Sequence, residues 1–316
     1  MNRSGMHGRP KPALLILAFV AIYVVWGSTY LGIRVAIESI PPLLMMGIRH
    51  LAAGTLLFAY LRLRGEAAPP RFAWKPAVLA GALCFLGGHG LLAWAEQRVS
   101  SGMAALLVSL EPVIMVLLAR RAKQEGRISG GTLAGLAFGI AGVAVLMPID
   151  AKGEMIATAA LLLGGVLWSV GAIYARGAVS GVSSGMYSAM QMLTGGVLLL
   201  AVGTGLGERV QLGRITPRSV LALGYLIVFG SIIAFSAYTW LMRVSTAARV
   251  GTHAYVNPII AVWLGWALGG EVVTARMLIG AAIVLASVLL VNQAESGKAV
   301  ALGSQQQEAE AEAAAD

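Results

Sequence analysis

Apolar runs of about 20 residues recur along almost the whole chain, and each can cross a hydrocarbon core of about 30 Å as a helix. In lipid every backbone N–H and C=O must be satisfied internally, so such runs fold as helices rather than open sheets. Ten of them are expected, near 13–33, 41–61, 75–95, 101–120, 132–148, 155–175, 183–206, 220–242, 248–268 and 276–292. The fold class is therefore all-α, a polytopic membrane protein. The 316 residues are 58% hydrophobic and 12% charged, against about 45–50% and 25% in soluble domains. No stretch between the runs is long enough to fold as a soluble domain. The first run follows Arg3, Arg9 and Lys11 as a signal peptide would, but it continues through Val24 and Trp26 to Ile33 with no small-residue cleavage site. It reads as a retained span.

The net charge of +9 could point to nucleic acid, but the basic residues sit in short loops between apolar runs. The partner they imply is a lipid bilayer, with no nucleic acid. With residues 1–12 placed in the cytoplasm, the inner segments hold 15 Lys and Arg and the outer ones 7, leaving Arg49 inside a span. The positive-inside rule then puts both termini in the cytoplasm. One outer loop, with Arg209, Arg214 and Arg218, runs against the trend. The tail 296–316 contains "SQQQEAEAEAAAD", which is acidic, low in complexity and expected to be disordered.

The chain repeats itself. A shift of 142 places Trp26 on Trp168, Arg49 on Gln191 and Gly54 on Gly196; a shift of 146 places Trp94 on Trp240, Glu111-Pro112 on Asn257-Pro258 and Glu125 on Glu271. The halves are 13–148 (spans 1–5) and 155–292 (spans 6–10). A five-span unit begins and ends on opposite faces, so its second copy is inverted. Inverted repeats mark secondary transporters that bind substrate near the midplane between the halves. The alternative is duplication without transport.

Glu111 and Pro112 stand together near the middle of the fourth span. A carboxylate there costs roughly 2.5–3.5 kcal/mol on insertion scales, and Pro112 frees the carbonyl of Val108. Together they read either as a loosened helix lining a wet cavity, or as a packing kink with Glu111 in a structural ion pair. Asn257-Pro258 reads the same way in the ninth span. Arg49, deep in the second span, could neutralise Glu111, bind carbonyls or snorkel; Gln191 at its repeat position favours a structural task. Glu111, with His89 in reserve, is the candidate for proton coupling.

Tyr23, Trp26 and Tyr30 share a helix stripe, and Trp94, Trp168, Tyr238, Trp240 and Tyr255 lie on other candidate lining helices. Some aromatics belong to interfacial belts, Trp74 and Trp266 among them. The substrate-cavity candidates are Trp26, Tyr30, His89, Trp94, Glu111, Trp168, Tyr238, Tyr255 and Asn257, each of which also admits plain packing. His89 and Glu96 share a face of the third span, as His253 and Asn257 do in the ninth. Gly131, Gly135 and Gly139, with Gly142, form a close-approach face on the fifth span. Gly280, Ala281 and Ala282 lie at the matching depth of the tenth. Cys84, the single cysteine, excludes an intrachain disulfide and reads as packing. No Gly-x-Ser-x-Gly elbow, His-Glu-x-x-His, Asp-rich metal pair or phosphate loop occurs, so neither an enzyme nor a cofactor or metal is expected.

"WGSTYLGIR" (26–34), "IPPLLMMGIRHLAAG" (40–54), "SLEPV" (109–113), "FGSIIAFSAYTWL" (229–241) and "THAYVNPIIAVWLG" (252–265) resemble the EamA-type branch of the drug/metabolite transporter superfamily, closest to its YedA-like exporters. The resemblance covers residues 13 to about 292. It implies ten helices in two inverted repeats, a bacterial inner-membrane location, and export of small metabolites, amino acids or drugs. The cavity it implies is lined by spans 1, 3, 4, 6, 8 and 9, while spans 5 and 10 pack together. The family arginine near the start of the second span falls on Arg49, and its Glu-Pro turn on Glu111-Pro112. The second repeat has Asn-Pro instead, leaving one carboxylate where a symmetric site would have two. The expected function is export by alternating access, with proton coupling open and the protein a monomer or homodimer. An uncoupled facilitator, a lipid scramblase and a non-transporting membrane scaffold are the alternatives.

Overall fold

The computed structural model describes residues 12–123, 130–147, 152–177, 181–245, 250 and 252–293. Regular structure among them is entirely helical. The helices are α1 (Pro12–Ala36), α2 (Pro42–Leu63) and α3 (Arg71–Ala95), α4 (Ser101–Val108), α5 (Glu111–Lys123), α6 (Gly130–Leu146), α7 (Lys152–Gly177) and α8 (Ser184–Gly205), α9 (217–244), α10 (His253–Ala267) and α11 (Ala275–Gln293). Among the described residues, seven helices are long and apolar enough to cross a membrane. The fourth expected run is instead divided between α4 and α5, and the fifth is a 17-residue helix. Glu125 and the acidic tail lie outside the described residues.

Helix starts follow local chemistry. Ser100, Ser183 and Thr216 cap α4, α8 and α9, each hydroxyl accepting a backbone N–H three residues on. Pro42 and Pro217 occupy first-turn positions whose missing N–H is harmless. The division after α4 falls at Ser109–Leu110, where Leu110 N bonds back only three residues, to Leu107 O at 3.3 Å. Pro112 explains it, since it lacks the donor for Val108 and crowds that turn. Pro258, by contrast, sits inside an unbroken α10. The loosening expected at both repeat positions is present only in the first.

Three helices carry π-helical segments: Ala21–Val25 in α1, Ala82–His89 in α3 and Leu226–Ile233 in α9. The last two lie in the corresponding third helices of the two halves. Such wide turns are frequent at functional sites. Asn257 meets the first of them. With its amide oriented to donate, its nitrogen lies 3.2 Å from each of the carbonyls of Ile22, Tyr23 and His253.

Lipid is as apolar as leucine, so close packing rather than the hydrophobic effect brings such helices together. Leu17, Ile140 and Leu221 face outward at 64%, 64% and 74% exposure, while glycines make the inner crossings. A Cβ on Gly196 of α8 would meet Leu51 N of α2 at 2.7 Å, and one on Gly54 would meet Leu193 N at 2.9 Å. These two glycines are repeat equivalents, and the tightest crossing joins the halves. The α6–α11 contact is built likewise: a Cβ on Gly135 would lie 2.5 Å from Val291 Cγ2, one on Gly139 2.9 Å from Ser287 Oγ, and one on Gly142 2.6 Å from Val284 Cγ2. Gly131 is only partly buried. Ser287 also donates to Gly135 O at 2.6 Å.

A Gly-Glu pair recurs at helix ends. Gly65, Gly207 and Gly270 have φ of 86°, 90° and 66°, which glycine adopts without strain. After α2 and α8, Glu66 N and Glu208 N bond back to Leu61 O and Gly203 O at 3.1 and 2.9 Å, closing Schellman corners. Each corner aims the following carboxylate at a helix start of the other half. Glu208 accepts from Leu43 N and Leu44 N at 3.2 and 2.9 Å, and Glu271 from Ser101 N and Gly102 N at 2.7 and 3.3 Å. Glu66 accepts from the Ser183 hydroxyl at 2.5 Å. Negative charge at a helix N-terminus is stabilising.

Candidate functional site

α3, α5 and α7 meet around one aromatic and polar chain. Its pivot is Trp168 on α7, which the glycine-rich π segment of α3 admits closely: a Cβ on Gly88 would approach Trp168 Cε3 to 3.0 Å. His89 stacks on Trp168 with ring centres 4.6 Å apart and planes at 22°. The Trp168 side chain is hydrogen-bonded to the Glu111 carboxylate. On its other side His89 Nδ1 lies 2.9 Å from His50 Nε2 of α2, and Phe85 packs at 4.4 Å on the His50 ring. His89, Trp168 and Glu111, three of the cavity candidates, are thus brought together. Tyr30 lies within electrostatic reach of both Glu111 and Glu96.

A second cluster forms where α1, α9 and α10 meet. Trp26 lies 5.2 Å from Tyr238 and 5.3 Å from His253, and its indole donates to Gly230 O at 3.1 Å. Asn257 is close by, bonded to the α1 carbonyls. The two clusters correspond under the repeat: Trp26 and Trp168 are equivalents, as are Asn257 and Glu111. In each, the first helix of one half crosses the fourth helix of the other.

Two of the cavity candidates stand apart from both clusters, and Arg49 has a partner of its own. Tyr255 turns away to α11, its hydroxyl donating to Val288 O at 3.4 Å and accepting from Asn292; the polar partners on α11 hold it out of both clusters. Trp94 lies at the end of α3 under the Arg98 guanidinium, 4.3 Å from the ring centre, where a cation–π contact fixes it. Arg49 forms no ion pair with Glu111. It is 5% exposed and donates from Nε to Ser231 Oγ at 3.0 Å, tying α2 to the π segment of α9.

Residue reading alone passed over His50 and Ser231, and it named Glu96 only as sharing a helix face with His89. His50 follows Arg49 inside an apolar run, and the depth argument that flagged Glu111 applies to it equally. Glu96 is fully buried with neither carboxylate oxygen hydrogen-bonded, so Glu111 is not the sole enclosed acid. Ser231 carries no signal of its own. Cys84 is buried, its thiol 3.7 Å from Trp168 O. One recess among the described residues lies at the helix ends, away from the clusters. It holds about 520 Å³ among Arg34, Glu38, Gln97, Arg218 and Glu271, with Leu31, Val35 and Gly269 between them. None of the nine cavity candidates lines it.

Apolar helices in two matching halves, with a few polar side chains enclosed where the halves cross, define a polytopic membrane transporter and not an enzyme. The chain belongs to the EamA-like transporter family, whose model matches twice, over residues 13–147 and 155–293. It is 37% identical over 276 residues to the uncharacterized inner membrane transporter YedA of Escherichia coli K12, covering 87% of this chain and 89% of the relative. It is 27% identical to a probable terminal-alkyne amino-acid exporter of Streptantibioticus cattleyicolor, covering 91% and 96% of the two chains. A solved crystal structure superposes with a TM-score of 0.62 at 20% identity, over 88% of this chain and 97% of the other, and so shares the fold.

Proposed function

We propose that the protein is an inner-membrane exporter of a small metabolite, amino acid or drug, working by alternating access between two inverted five-helix repeats. The observation that carries this reading is the pairing of clusters. Each repeat sends its first helix across the fourth helix of the other, and both crossings enclose a tryptophan beside an amide or carboxylate. Rocking one half on the other would open these crossings to alternate faces. Ten spans, with both termini cytoplasmic, agree with the charge bias of the loops, and the name of one relative, a probable terminal-alkyne amino-acid exporter, agrees with export. Glu111 is the proposed proton carrier, because it is the charged member of the repeat-related pair.

A lipid scramblase needs a polar groove facing lipid. Among the described residues many large hydrophobics face outward, while His50, Phe85 and Asn257 of the clusters are buried and the other cluster residues half-buried, which favours the exporter. Uptake from a metabolite mixture into proteoliposomes, with and without a pH gradient, tests the proposal. The expected result is accumulation of one chemical class, increased by the gradient. Lipid exchange without solute uptake would replace the exporter by a scramblase, and neither activity would leave a scaffold.

A further inference from the structure

His50 is the enclosed group that export through Glu111 leaves without a task. It is 1% exposed, with its Nδ1 unpartnered, and its Nε2 faces His89 Nδ1 at 2.9 Å. Across that contact one nitrogen donates and the other accepts. A neutral pair satisfies this with the proton on either side. Adding one proton keeps the bond and makes it charge-assisted. Adding a second places a donor on both facing nitrogens and breaks it. The pair therefore takes up one proton as a unit.

Its surroundings connect that proton to the rest of the site. His89 lies face to face with Trp168, so a charge on the imidazole sits over an indole ring, an attractive arrangement. The same indole is bonded to Glu111. Arg49, next to His50, is a cation that opposes an added charge on both rings. Cys84 lies on the Trp168 carbonyl.

We propose that His50 and His89 form one proton-binding dyad, seated on Trp168 and separate from Glu111, giving the transporter a second proton site. Its use in coupling rests on the exporter reading; its existence does not. Histidine side-chain NMR of the full-length protein in nanodiscs, titrated with pH, tests it without any substrate. Both rings should move in a single transition that takes up one proton per pair, and the Trp168 indole N–H signal should follow. His50→Gln should shift the midpoint of His89 by about one pH unit or more, the scale of a coupled pair. Glu111→Gln should leave the joint transition in place. Two independent ring transitions in the wild-type protein, or an indole signal that ignores them, would overturn the dyad whether or not the variants fold. Failed uptake with an intact joint transition would count against the exporter alone.

Discussion

Glu111 and Arg49 look like a complementary pair in the sequence, yet they serve different crossings. Glu111 is held by Trp168, and Arg49 by Ser231. Glu111→Gln keeps the shape and most of the hydrogen bonding while fixing the site neutral. The variant is expected to fold, to lose dependence on the pH gradient, and to keep substrate exchange at equal concentrations. Proton-driven accumulation that survives in it would remove Glu111 from coupling. Exchanging the two charges is expected to damage both sites rather than restore either. Ser231→Ala leaves a buried guanidinium without its hydroxyl partner, which costs roughly 1.5–3 kcal/mol for a bond to a charged group. A lowered melting temperature in detergent, with Met46→Leu as a comparison beside the same guanidinium, is the readout.

Helices here are held by close contacts and by end caps that cross between halves. Gly135→Leu would drive a side chain into Val291 Cγ2 and the Ser287 carbonyl. Overpacking of this kind costs typically 1–3 kcal/mol, so folded protein in the membrane should fall while Gly130→Leu, with open space around it, should not change it. Unchanged expression and melting temperature for Gly135→Leu would place that face against lipid. Glu208→Ala and Glu271→Ala each strip two backbone N–H groups of their acceptor. Loss of a cap costs about 1 kcal/mol, and hydrogen exchange should quicken at Leu43–Leu44 in the first variant and at Ser101–Gly102 in the second. Protection unchanged at those amides would show the carboxylates to be dispensable.

For the molecule as a whole, the loop charges predict an orientation with both termini in the cytoplasm. In a Cys84→Ala background, Lys152→Cys should react with an impermeant thiol reagent on intact cells, whereas Lys123→Cys should react only after the membrane is opened. The reverse pattern would invert the topology. In that orientation the 520 Å³ recess, lined by the C-terminal end of α1, Gln97 after α3 and Arg218 at the start of α9, would lie at the outer face.

Helical class, duplication and family were legible from the residues because each depends on a property repeated along the chain. Apolar length sets the spans, and recurrent offsets such as Trp26 with Trp168 expose the halves. Even the Gly-Glu corners after α2 and α8 are related by the offset of 142. The tertiary structure decided which enclosed side chains meet. Tyr255 and Tyr238 are both aromatic residues on candidate lining helices, but one bonds to α11 and the other packs on Trp26. Helical period alone does not choose between two neighbours on adjoining faces. His50 joined the site because the glycines of α2, α3, α7 and α8 let backbones approach within a side chain's reach. That distance is a product of four helices packed at once, and no single segment encodes it.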